Sequence, residues 1–139
     1  ISVALLAMSA SVGTPSADEV VSLRSPDGRV KASLIETNGG ATTSFGYLVT
    51  VAPSNQPEVA KQVASLYGAT RNPSAYGANL RWVSPKELVI EYMHAHSTTL
   101  PAPTVTVAGT EVAIVLRPNT TDPAAPSGGM LYNLHGRRQ

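Results

Sequence analysis

The chain of 139 residues contains no cysteine. That excludes a disulfide framework, a thiolate metal site and lipid attachment through a lipobox cysteine. Stability must come from a packed core, and a chain of this length can bury one. Aromatic residues are few: one phenylalanine, one tryptophan and five tyrosines. They are not interleaved with basic residues, which excludes a stacking platform for single-stranded nucleic acid. An excess of charge is missing too, with ten Lys and Arg against nine Asp and Glu. The charges are scattered and leave no electrostatic footprint for nucleic acid. The one basic pair, Arg137-Arg138, reads as a solvated tail. The apolar run at the start, Ile1 to Ala10, falls short of the about 20 residues that span a bilayer.

That run, "ISVALLAMSA", carries no charge and is followed by the small, polar "SVGTPSADE". The pair has the character of the apolar and cleavage regions of a secretory signal peptide. Ala7 and Ser9 supply small residues at the −3 and −1 positions of a cut after Ser9. A positive region ahead of the run is not seen, and the chain starts at Ile1, as expected of a truncated start. The alternative for the run is a short buried helix of the domain. The expected organisation is a signal-like segment over 1–17, a β domain over 18–118 and a Pro/Gly-rich tail over 119–139. The expected location is the periplasm or the cell exterior, with no stable transmembrane span after processing.

From Val20 the apolar pattern is mostly of period two. In "RVKASLIE", Val30, Ala32 and Leu34 share one face while Arg29, Lys31 and Ser33 share the other, as in a half-buried strand. The preceding Ser25-Pro26-Asp27-Gly28 is a turn, because Pro26 presets φ, Asp27 bonds its own backbone and Gly28 accepts positive φ. A hairpin of 20–24 with 29–37 is expected. Asn38-Gly39-Gly40 marks a second turn, and Thr43, Phe45, Tyr47, Val49 and Val51 alternate along a returning strand. Pro53 closes it. Val59, Val63 and Leu66 then recur at spacings of four and three, between Pro57 and Gly68, which predicts one short helix over about 57–67. An irregular loop, Tyr67 to Asn79, follows. "NLRWVSPKELVIEYM" reads as strand, turn and strand, with Leu80 and Trp82 on one face and Leu88 to Met93 as the return. Trp82 is expected as a core anchor rather than a sugar platform. "TVTVAGTEVAIVLR" reads as a hairpin turning at Gly109-Thr110, with Val107 opposite Val112 and Val105 opposite Ile114. The fold class is mainly β: an antiparallel meander, small sheet or sandwich of about six to seven strands with the one short helix.

Two segments, "SPDGRVKASL" and "LRWVSPKELVI", resemble strands of a TolB-type β-propeller blade. A propeller needs several such blades, so the likeness is local. A wider resemblance is to an uncharacterised family of small bacterial exported proteins, a domain of unknown function. It rests on Ser25 to Gly28, the Gly-Gly-Ala-Thr-Thr-Ser motif of Gly39 to Ser44, Trp82 to Ser84 and Ile90 to Tyr92, and covers about half of the chain. The resemblance implies a small antiparallel β domain outside the cytoplasm and implies no activity.

For chemistry, the Gly39-Gly40 pair leads into a strand and no lysine follows, which excludes a phosphate-cradling loop. Thr42, Thr43 and Ser44 are expected to serve backbone geometry. Their alternative is a polar patch for a peptide or sugar. In "EYMHAH", a strand places His94 and His96 on one face with Tyr92 beside them, and a pair of this spacing suits zinc or copper when a third ligand arrives. Glu91 falls on the opposite face; His135, Asp122 and Glu111 are the remaining donors. The alternative is two exposed histidines at a strand end. No nucleophile elbow or carboxylate dyad is present, so no catalytic residue is assigned. Three functions compete. The first is a non-enzymatic envelope protein binding an envelope protein or glycan, or serving a structural role. The second is a metal-binding protein or metal-dependent enzyme using His94 and His96. The third is an inhibitor or immunity-type module using the loop from Tyr67 to Asn79.

Overall fold

The computed structural model describes residues 16–38, 45–72, 75–120 and 129–130. Its strands are β1 (Ser16–Arg24), β2 (Val30–Asn38), β3 (Phe45–Pro53), β4 (Lys61–Tyr67), β5 (Thr70–Asn72), β6 (Ala75–Tyr76), β7 (Asn79–Ser84), β8 (Glu87–Glu91), β9 (Ser97–Thr99), β10 (Thr104–Val107), β11 (Thr110–Arg117) and β12 (Gly129–Met130). One sheet runs β1-β2-β3-β4-β9 and a second β10-β11-β8-β7, with a small third sheet β12-β6-β5. The protein is mainly β, and the inner faces of the two large sheets share one core. Val30, Ala32, Leu34, Tyr47, Val49 and Val51 from the first sheet meet Leu80, Leu88, Ile90, Val112 and Ile114 from the second. That is the period-two pattern of the sequence turned into two facing apolar layers. Among the described residues no helix is long and apolar enough to cross a membrane.

The second sheet is mixed rather than antiparallel, since β11 runs parallel to β8. The chain leaves β8, adds β9 to the edge of the first sheet, and re-enters through the β10–β11 hairpin. A parallel neighbour requires a long crossover of this kind, and the alternation of apolar residues carries no information about it.

The β1–β2 turn forms as its residues dictate. Gly28 takes φ 75°. The Ser25 hydroxyl donates to Asp27 Oδ1 at 2.7 Å, and the Arg29 and Val30 amides donate to Asp27 Oδ1 and Ser25 Oγ at 3.2 Å each. The bond from Ser25, then that from Arg29, hold the Asp27 carboxyl below its ordinary range. β2 and β3 pair antiparallel up to Asn38 opposite Phe45. Gly39, Gly40 and the expected polar patch of Thr42, Thr43 and Ser44 lie in the connection, outside the described residues.

The helix expected over 57–67 does not form. Pro57–Val59 makes one 3-10 turn, Ala60 turns extended at φ −58° and ψ 143°, and Lys61–Tyr67 is strand β4. The misleading spacing comes from a bulge. Val49 pairs with Ala64 and Thr50 with Gln62, so Val63 is an extra residue on β4. The bulge lets the successive Val63 and Ala64 both bury, with Leu66 two residues on. Val59 is not on that face at all and is 48% exposed.

The β10–β11 turn is also displaced. Val107 faces Thr110 and Val105 faces Val112, so the loop is Ala108-Gly109. Both loop residues have positive φ, 52° and 75°, as in a type I′ turn, whose twist matches the strands. The displacement from the expected register is two residues, an even number, so Val107, Val112 and Ile114 still reach the core. Ala108 holds a conformation that L-alanine adopts at a cost. Asparagine visits that region more readily, so Ala108→Asn is expected to raise the midpoint of denaturant unfolding; an unchanged or lowered midpoint would contradict the turn assignment.

Trp82 packs against the core but is only partly buried. Its indole N–H donates to the Leu23 carbonyl at 3.2 Å, joining the edge strand of one sheet to that of the other. On the opposite side the Lys61 ammonium donates to the Thr106 carbonyl at 3.5 Å. A charged lysine and a covered edge are two ways of discouraging strand-to-strand aggregation.

Candidate functional site

The strand predicted through Met93 ends at Glu91. Tyr92 turns into the core, 7% exposed, and its amide donates to the Arg117 carbonyl at 3.1 Å. Burial pushes its phenol upward from the ordinary value. The chain bends at Met93 and the alternation changes phase. Ala95 packs against the core while His94 and His96 are exposed. Tyr92 therefore does not flank the histidines.

What flanks them instead is the start of the segment read as an irregular loop. The Thr70 amide donates to the His94 carbonyl at 2.6 Å, and the His94 amide returns to the Thr70 carbonyl at 2.9 Å. The His96 amide donates to the Tyr67 carbonyl at 2.9 Å. Gly68 takes φ 66° between these two anchor points, which a residue with a Cβ would adopt at a cost. The His96 ring meets the Tyr67 ring edge-on, with centroids 5.9 Å apart and planes at 73°. Tyr67 is 42% exposed, and Ser97, Thr98 and Thr99 of β9 continue the exposed surface. Two features read separately from the sequence, the histidine pair and the loop from Tyr67, thus form one surface at the end of the first sheet. The sequence carried no signal of this meeting, because it depends on β9 crossing to pair with β4.

The other ionisable groups with defined partners hold strands together. Glu91 lies in an ion pair with Arg81, and Arg117 stands 3.9 Å away on the other side. Glu36 is buried directly opposite Tyr47 on the core face and accepts a hydrogen bond from its hydroxyl at 2.8 Å. Glu36 continues the even-numbered face of Val30, Ala32 and Leu34, so its burial could have been read from the alternation. Glu111 lies beside Thr106 in the β10–β11 hairpin, away from the histidines in the pairing scheme. His135 and Asp122 lie outside the described residues. Among the described residues no group of three or more His, Cys, Asp and Glu could hold a metal ion. An apolar cleft of about 170 Å³ lies between Val51, Pro53, Val59, Lys61 and Val107. It is below the roughly 300–1,000 Å³ typical of small-molecule pockets.

The chain matches no family model, and no curated protein or solved structure shows significant similarity to it.

Proposed function

We propose that the chain is an exported β-sandwich module of the bacterial cell envelope that works by binding, and that Tyr67, His94 and His96 are the surface it presents. One observation carries this reading. The backbone ties of Tyr67 and Thr70 to the histidine segment turn Ala95 inward and leave an aromatic ring and two imidazoles outward together. An exposed tyrosine combines apolar area with a hydrogen-bonding tip and is enriched at recognition surfaces, and the imidazoles beside it add further hydrogen-bonding groups. The engagement of Asp27, Glu36 and Glu91 in turn and strand contacts supports a structural role for those carboxylates.

Export is supported by the charge-free run of Ile1 to Ala10 followed by small residues. The likeness of Ser25–Gly28, Gly39–Ser44, Trp82–Ser84 and Ile90–Tyr92 to small bacterial exported proteins points the same way. Fractionation of the producing cells, with mass spectrometry of the purified protein, tests it. The expected result is protein in the envelope or medium with its N-terminus between about Ala10 and Asp18. Cytoplasmic protein that retains Ile1 would overturn export.

A further inference from the structure

We infer that His94 and His96 form a surface chelate for a late first-row divalent transition ion, the class that includes Zn²⁺, Ni²⁺ and Cu²⁺. The inference rests on reading this patch as the binding surface, and it assigns that surface a ligand.

The geometry comes from the backbone. His94 is held to Thr70 by two reciprocal hydrogen bonds, of 2.6 and 2.9 Å, and His96 to Tyr67 by one of 2.9 Å. A single residue separates the histidines, and it is Ala95, packed inward. With Ala95 packed against the core and the residues on either side of it exposed, both imidazoles stand on the outer side of the segment. Two residues apart, the α-carbons of His94 and His96 lie at most about 7 Å from each other. Two imidazoles leaning together across that span can bring one nitrogen each to the about 2.0–2.1 Å that a zinc–nitrogen bond requires. Because three hydrogen bonds already fix the segment, little ordering remains to be done when an ion binds. The Tyr67 ring, edge-on at 5.9 Å, limits the swing of the His96 ring.

The donor set decides the ion. Neutral imidazole suits zinc, copper and nickel, whereas magnesium and calcium take oxygen ligands. Glu91 is held by Arg81 and does not join the pair. With two protein donors the remaining positions go to water, as in an open site. Such a site holds its ion exchangeably and has room for a further donor from another molecule.

The test is calorimetric titration of the full chain with Zn²⁺ alone in metal-free buffer. The wild type is expected to take up Zn²⁺ through this pair. His94→Ala and His96→Ala should each weaken binding by about tenfold or more, because losing one donor turns a chelate into a single attachment. His135→Ala, which removes the third histidine of the chain, should leave it unchanged. Zn²⁺ should also raise the unfolding temperature of the wild type and not that of the double variant. Both histidines are exposed, so the metal-free variants should unfold at the wild-type temperature. Wild-type affinity in either single variant, loss of binding in His135→Ala, or no Zn²⁺ uptake by the wild type would each overturn the inference. The reading beneath it fails differently. A patch that takes no ion but still captures a partner in cells removes the metal and leaves the binding surface.

Discussion

Tyr47→Ala is expected to destabilise the protein by about 3–5 kcal/mol, the range for removing a large buried ring. Tyr47 is 1% exposed, sits on the central strand of the first sheet and packs in the shared core. Its hydroxyl also donates to Glu36, a carboxyl that the fold takes out of water. The truncation therefore opens a cavity and withdraws a hydrogen bond from a buried acid at the same time. Tyr47→Phe separates the two effects: it keeps the ring and should cost about 1–3 kcal/mol, the penalty for weakening the satisfaction of a buried polar group. Denaturant unfolding reads both, as a lower midpoint at unchanged slope. A loss below about 1 kcal/mol for the alanine variant would mean that the ring is not in the core.

Leu66→Ala is expected to cost about 2–5 kcal/mol, and Val59→Ala less than about 0.5 kcal/mol. The pair distinguishes a strand from a helix over the same residues. On a helix, Val59, Val63 and Leu66 would share a buried stripe, and both substitutions would be severe. On the bulged strand β4, Leu66 is 2% exposed and Val59, in the 3-10 turn ahead of the strand, is 48% exposed. Comparable losses at the two positions would restore the helix.

Much of the fold could be read from the sequence because alternation reports burial directly. Spacing alone places Val30, Ala32 and Leu34 on one face, and all three are fully buried. The turn at Ser25 to Gly28 was equally legible, because its residues satisfy each other within the turn. Legibility stopped where a local pattern had a non-local cause. The bulge at Val63 imitated a helical period, since an inserted residue shifts the phase of a strand much as a helical turn does. The positive φ of Ala108 displaced a hairpin by two residues, and alanine gives no warning of it. The parallel pairing of β8 with β11 follows from a crossover that no stretch of either strand encodes. At the candidate site, His94 and His96 stand out by their chemistry. Their neighbours do not: strand alternation puts Tyr92 beside them, yet it is in the core, and the ring that meets His96 is that of Tyr67, from the other end of the loop.

Site-specific photo-crosslinking in the producing cells tests most directly whether this patch is the binding surface. A photoreactive side chain would be placed in turn at Tyr67, at His96 and, as a control, at the exposed Glu111 of the β10–β11 hairpin. The expected result is a discrete adduct of one mass from both Tyr67 and His96, and none from Glu111. Adducts from Glu111 alone, or from none of the three positions, would contradict the account.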